Sequence, residues 1–253
     1  IMDKQTIISA RHLKKCFGKG DSMQTIYSDL NINIYKGDFT VIMGSSGAGK
    51  STLMYSLSGM DKPDSGQIMF DGEDITQLTS DQLAKFRRKQ CGFVFQQIYL
   101  MNQLSLMDNV ITAGILTSKH RKEVVKRAEE LFSLVNLPKQ TQEKLPSLIS
   151  GGEAQRAGIV RAVINTPNVL FADEPTGALN SANSKAVLDV FSSLHNRGQS
   201  IVMVTHDKES ALRGNRIVYV KDGQISGECN LDDHTDPLKR KATFETFLLE
   251  MGW

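Results

Sequence analysis

The stretch GSSGAGKST, Gly44 to Thr52, decides the fold through what flanks it. Before it runs FTVIM, Phe39 to Met43, an apolar run that reads as a strand. After it, KSTLMYSLSGM reads as a helix that stops near Gly59. Residues 44–51 fit the pattern of two glycines separated by four residues and followed by lysine and serine. Glycines let a strand-to-helix turn curl until successive backbone N–H groups point inward, and the helix N-terminus adds partial positive charge. The turn is therefore a seat for phosphate. Lys50 is expected to bridge the β- and γ-phosphates of a nucleotide, and the Ser51 hydroxyl to ligate Mg²⁺. Gly44, Ser45, Ser46, Gly47, Ala48, Gly49 and Thr52 form the cradle around them. A glycine loop with a stray lysine is the alternative, and the flanking strand and helix weigh against it.

Working outward, TIISARHLKKCF and QTIYSDLNINIYKGD alternate like strands. GQIMFDGEDI reads as a hairpin turning at Asp71-Gly72, and CGFVFQQ, Cys91 to Gln97, as another strand. From about Ser105 to Asn136 the period becomes helical, with charged faces, as in an inserted helical subdomain. A helix EAQRAGIVRAVIN follows, then two apolar runs that end abruptly in polar residues, NVLFADEP and SIVMVTHD. RIVYVKDGQI makes a last hairpin at Asp222-Gly223. Apolar strands alternating with helices imply a mainly parallel sheet covered on both faces. In such sheets ligands sit beyond the carboxyl ends of the strands, so the polar residues after FTVIM, NVLFA and SIVMV are expected to converge.

Those polar residues carry chemistry. Asp173, at its strand end, would hold Mg²⁺ through water, and Glu174 would polarise the water that attacks the γ-phosphate. On its own an Asp-Glu pair is more often solvated surface; beside a phosphate loop the nucleotide reading prevails. His206 would hydrogen-bond the γ-phosphate, where a lone histidine is otherwise an ordinary turn residue. Gln96, after CGFVF, is placed to sense both metal and water. A second seat lies in SLISGGEAQRAG, where Ser150-Gly151-Gly152 opens a helix with Ser150 able to cap it. A well-capped helix is the plainer reading. If two copies associate head to tail about a two-fold axis, however, each Ser150–Gly152 faces the other chain's γ-phosphate. ATP then joins the chains, and each site is completed only in the dimer.

Composition sets the bounds. The 253 residues suffice for one large domain or for a domain with an insertion. A net charge of +2 gives no reason to invoke nucleic acid. No apolar run is long enough to span a bilayer and no cleavable signal is expected, so for work at a membrane another chain would have to cross it. Cys16, Cys91 and Cys229 have no metal-ligand spacing and read as reduced thiols.

The order of these motifs resembles that of the ATPase subunits of ATP-binding cassette (ABC) transporters, over roughly residues 7–227. GSSGAGKS, FQ at Gln96, SGGEAQR, LFADEP, GALN and VTH at His206 follow one another as in that family. The resemblance implies an α/β P-loop NTPase fold. It has a mainly parallel core sheet, an antiparallel β subdomain and a helical subdomain inserted at about 98–160. The ATPase domain would cover 2–230 and a tail 231–253. The resemblance also implies a Mg²⁺-dependent ATPase active as a head-to-tail dimer, with Phe17 in KKCFG stacking on adenine. A membrane permease would dock near 97–108, QIYLMNQLSLMD, and hold the chain at the inner face of the cell membrane. Two residues depart from the family pattern. Glu153 stands where glutamine is usual in the signature loop, and Asn180 where aspartate usually ends GALN.

CGFVFQQIYL, ADEPTGALN and VTHD are similar to a bacterial group that includes macrolide-efflux, lipoprotein-releasing and peptide-resistance transporters. The tail DPLKRKATFETFLLEMGW resembles the bacitracin-type peptide-resistance branch. It reads as an amphipathic helix, with Phe244, Phe247, Leu248 and Met251 on one stripe behind Lys239-Arg240-Lys241. Packing on its own domain is the plainer expectation; contact with a second subunit or with the anionic membrane surface is the other. Rival readings are a cell-division type regulatory cassette, a non-transport ABC protein, and a module that binds ATP but barely hydrolyses it.

Overall fold

The computed structural model describes residues 4–18, 20–232 and 236–253. Residues 2, 3 and 19 of the expected ATPase domain and 233–235 of the expected tail lie outside the described residues. In chain order come β1 (Thr6–Phe17), β2 (Gln24–Tyr35), β3 (Phe39–Met43), α1 (Lys50–Leu57), β4 (Ser65–Phe70), β5 (Glu73–Asp74) and α2 (Ser80–Gln90). Next are β6 (Cys91–Phe95), α3 (Leu106–Gly114), α4 (Arg121–Leu134), α5 (Lys139–Gln142), α6 (Gly151–Val163), β7 (Val169–Asp173) and α7 (Ser181–Asn196). Last are β8 (Ser200–Val204), α8 (Lys208–Ala211), β9 (Arg216–Lys221), β10 (Gln224–Asn230) and α9 (Pro237–Glu250). Two compact units result. One holds the residues up to 84 and from 198 onward, the other 85–197.

The first unit contains an antiparallel sheet in the order β2-β1-β4-β5 and strands ordered β10-β9-β3-β8. β3 runs parallel to both β8 and β9. Every residue of β3 and β8 is buried, as strands covered on both faces require. Each large apolar side chain so buried contributes roughly 1.5–3 kcal/mol. Both Asp-Gly hairpins form as expected. Asp71 and Gly72 have φ of 48° and 85°, and Asp222 and Gly223 have 49° and 72°, the sign that a type I′ turn demands. The tail helix packs on this unit. Phe244, Phe247 and Leu248 of α9 are buried, and Trp253 meets Tyr219 edge-on at 6.1 Å. Arg240, from the basic triplet, donates to the carbonyls of Leu231, Leu212 and Gly214, so it is committed to the fold.

In the second unit β6 and β7 pair in parallel from Cys91↔Val169 to Phe95↔Asp173. α6 is its centre, packing on β6, α3, α4 and α7. The helical segment expected at 98–160 lies in this unit, which also takes in β6, β7 and α7. The strand expected over Cys91–Gln97 ends at Phe95 instead. Its partner strand ends at Asp173, so Gln96 and Gln97 have no ladder to extend and enter a loop.

Candidate active site

In the first unit, β3 and β8 deliver two groups to one edge. Ile42 pairs with Val204, and the Thr205 N–H donates to the Ile42 carbonyl at 3.3 Å. Gly44 and His206 each lie two residues beyond that pair. Gly44 has φ 147°, and a Cβ there would sit 2.0 Å from the Val220 carbonyl oxygen, so no other residue fits. Gly49, the N-cap of α1, has φ 91° and makes no side-chain cap, and no acidic residue lies in the first turn. A helix start whose N-cap carries no side chain suits an anion. The Lys50 ammonium arches back over the loop, donating to the carbonyls of Gly44 (2.9 Å) and Ser45 (2.7 Å). Ser45, Ser46, Gly47 and His206 are exposed, Ala48 is buried, and Lys50, Ser51 and Thr52 are half-buried.

Phe17 ends β1 and is 47% exposed, which removes it from the core and leaves an aromatic surface at a strand end. The Lys15 ammonium lies 5.2 Å from its ring centroid, itself held by Asp61 at 2.8 Å.

In the second unit, Phe95↔Asp173 is the last register pair of β6 and β7, and Gln96 and Glu174 are the next residues along each chain. Both leave the same strand edge. Glu174 has φ 46°, a left-handed conformation that costs a non-glycine residue roughly 1–3 kcal/mol and clusters at functional sites. Its carbonyl accepts the Gly177 N–H at 3.1 Å. Asp173 and Glu174 are half-buried, and Gln96 is exposed.

The second seat differs from the first. The Ser150 hydroxyl accepts the Glu153 N–H at 3.3 Å, while the Glu153 carboxylate accepts both the Ser150 N–H and its hydroxyl at 2.8 Å. This is a capping box. The bonds from Ser150, backbone first, hold the Glu153 carboxyl below its ordinary range, and Arg156 and Lys144 add to the effect. Gly152 is glycine for packing as well, since a Cβ there would lie 2.4 Å from the Asn183 Oδ1. Asn180 caps α7 by accepting the Asn183 N–H at 2.9 Å, a task its side-chain oxygen performs as aspartate would.

Among the described residues no cluster of three or more His, Cys, Asp or Glu could hold a metal by itself. The expected donors, Ser51, Gln96 and Asp173, are all oxygen donors. That suits Mg²⁺, which takes one or two carboxylates and completes its shell with phosphate oxygens and water. Cys16, Cys91 and Cys229 form no disulfide, and burial pushes the Cys91 and Cys229 thiols up, away from reactivity.

Three polar residues had no part in the sequence reading. Asn109 is fully buried and laces the loop before α3, accepting the Met101 N–H and donating to the carbonyls of Met101, Leu104 and Ser105. Arg161 donates to the carbonyls of Ile98 and Tyr99. Gln155 donates to those of Phe95 and Pro175. The sequence signal was a polar residue on the apolar face of a helix, which is rare unless its bonds are met.

Residues 27–177 match the family model described as ABC transporter. The chain is 42% identical over 219 residues to the macrolide export ATP-binding/permease protein MacB of Mannheimia succiniciproducens, covering 87% of this chain and 34% of that one. It is 39% identical to the MacB of Neisseria gonorrhoeae over 220 residues, with 87% and 34% covered. The chain thus spans about a third of the length of these curated relatives. Its structure is similar to the ATP-binding cassette MJ0796 solved as a dimer in a post-hydrolysis state with ADP and Pi. The TM-score is 0.81 at 34% identity, covering 88% of this chain and 98% of that one. No described helix is long and apolar enough to cross a membrane. The chain belongs to the ABC transporter family, as an α/β ATP-binding cassette domain related to those of the MacB-type proteins.

Proposed function

We propose that this cassette binds and hydrolyses Mg-ATP to drive a membrane permease, and that two copies share two nucleotides head to tail. The observation that carries hydrolysis is Glu174. Its carboxylate stands one residue past the Phe95↔Asp173 pair, on a left-handed backbone held in place. In this reading Gly44 to Thr52 hold the phosphates, Lys50 moves from the loop carbonyls to the β- and γ-phosphates, and Phe17 stacks on adenine. Ser51, Gln96 and Asp173 would hold Mg²⁺, which would supply charge neutralisation at the phosphates. Glu174 accepts a hydrogen bond from the attacking water and orients it in line with the γ-phosphorus. His206 donates to a γ-phosphate oxygen, and the products are ADP and phosphate. Ser150, Gly151 and Gly152 of the second copy complete the γ-phosphate's surroundings. Similarity to a cassette solved as a dimer with ADP and Pi supports this sharing.

The permease partner would meet residues 97–108, where Tyr99 and Met101 are 62% and 44% exposed. Apolar side chains left open on a surface connection mark a partner site. The chain would then work at the inner face of the cell membrane. Its cargo falls in the macrolide-export group by relatedness to MacB-type proteins. Peptide resistance of the bacitracin type is a narrower reading that rests on the C-terminal tail alone. A lipoprotein-release or cell-division type complex is the alternative. Steady-state release of phosphate from Mg-ATP, with and without the substitution Glu174→Gln, tests the enzymatic core. Expression of the chain with its candidate permease, scored for macrolide against bacitracin resistance, tests the cargo.

A further inference from the structure

Gln155 stands on α6, one turn past the Ser150 cap, and is 1% exposed. A buried amide is costly unless its groups find partners. Its two Nε2 hydrogens do, one on the Phe95 carbonyl at 2.9 Å and one on the Pro175 carbonyl at 2.7 Å. Phe95 directly precedes Gln96, and Pro175 directly follows Glu174. One amide therefore ties together the two backbone points from which the metal-side amide and the water-orienting carboxylate depart. Its Oε1 has no hydrogen-bond partner among the described residues. Methionine or leucine would fill the same space without that uncompensated oxygen, so filling space does not explain the residue. Its two donors do.

The rest of α6 points the same way. Two turns along the helix, Arg161 donates to the carbonyls of Ile98 and Tyr99, fixing the far side of Gln96-Gln97. The loop bearing Gln96 is thus bracketed from one helix at both ends. Glu174, in its left-handed conformation, needs its neighbours fixed if the carboxylate is to hold one direction.

We propose that Gln155 is a positioning residue for hydrolysis: its amide holds Gln96 and Glu174 at a fixed separation. This rests on the ATPase reading given above. Misplacement by about 1 Å costs up to about a hundredfold in rate, so the effect should appear in turnover rather than in nucleotide binding.

The test compares the full chain with Gln155→Met, Gln155→Glu and Glu174→Gln in steady-state Mg-ATP hydrolysis over a Mg²⁺ titration. ATP affinity is measured separately in EDTA. The Gln155→Met enzyme should lose about ten- to a hundredfold in kcat and need severalfold more Mg²⁺ for half-maximal rate. Its metal-free ATP affinity should stay within about twofold of wild type. A merely structural role would lower the melting temperature or the active fraction and leave the Mg²⁺ requirement unmoved. In Gln155→Glu the buried carboxyl between two carbonyls is pushed towards its neutral form and keeps one donor. Its kcat should lie between those of wild type and Gln155→Met and fall as pH rises, when the proton and the donor are lost. If the methionine variant fails to fold, this pH profile carries the test alone. Wild-type kcat and Mg²⁺ dependence in every folded variant at position 155 would overturn the proposal and leave the ATPase reading intact. A wild-type chain that does not hydrolyse ATP, or Glu174→Gln hydrolysing as fast as wild type, would overturn both.

Discussion

α1 has a left-handed glycine, Gly49, at its N-cap and no side-chain cap from it, whereas α6 has Ser150 at its N-cap inside a capping box closed by Glu153. Both helix starts are built from glycine and serine, and both suit a phosphate. The difference lies in the side chain at the cap. At α1 the N-cap glycine offers no side chain, and Lys50 donates to two loop carbonyls nearby. At α6 the chain's own carboxylate already lies across the helix start. An open seat suits an anion bound within one chain. A seat closed by an internal carboxylate suits one that engages late, because the newcomer meets negative charge and must displace or outlast it.

Breaking the open seat should have the largest effect. Lys50→Ala and Glu174→Gln are each expected to reduce phosphate release from Mg-ATP by about a hundredfold or more, measured at saturating nucleotide. At the closed seat, Glu153→Gln removes a negative charge while keeping the cap. Relief of about 1 kcal/mol should strengthen ATP-dependent self-association about fivefold, read by sedimentation or light scattering over a protein titration. Ser150→Ala removes the cap itself and should lower unfolding stability by about 1 kcal/mol in a urea melt. Ser45→Ala, at the open seat where no side chain caps, should change stability by no more than about 0.5 kcal/mol.

The smallest effect concerns pH. The Glu153 carboxyl sits below its ordinary value of 4.5 in the folded chain, because Ser150 donates to its ionised form. A depressed carboxyl contributes stability above its unfolded pKa and loses it as pH falls through its folded value. Urea midpoints compared between wild type and Glu153→Gln should therefore converge as pH drops below 4.5.

The sequence disclosed what depends on neighbours along the chain. Asp71-Gly72 and Asp222-Gly223 mark their turns because positive φ at both positions is a local demand, and the structure has it. The glycine loop after β3 was legible for the same reason. Glu153 was half legible. Serine followed three residues later by glutamate is the pattern of a capping box, but in the signature loop the residue stands out only as a departure from the usual glutamine. Phe17 required burial to decide, since a ring at a strand end fits core and surface equally well in sequence; 47% exposure settles it. Gln155 was not legible. Its partners lie 60 and 20 residues away, and only the pairing of β6 with β7 brings those carbonyls together. The early end of β6 had the same cause, because its length is set by β7.

The central claim is that each nucleotide is shared by two chains, with the open seat of one copy and the closed seat of the other on the same γ-phosphate. Light scattering of Glu174→Gln, with and without Mg-ATP, addresses it most directly, because bound ATP then persists. The account predicts a monomer without nucleotide and a dimer with Mg-ATP, and loss of that dimer when Ser150→Arg is added. A protein that binds Mg-ATP and stays monomeric at high concentration, in both the Glu153 and Glu153→Gln forms, would contradict it.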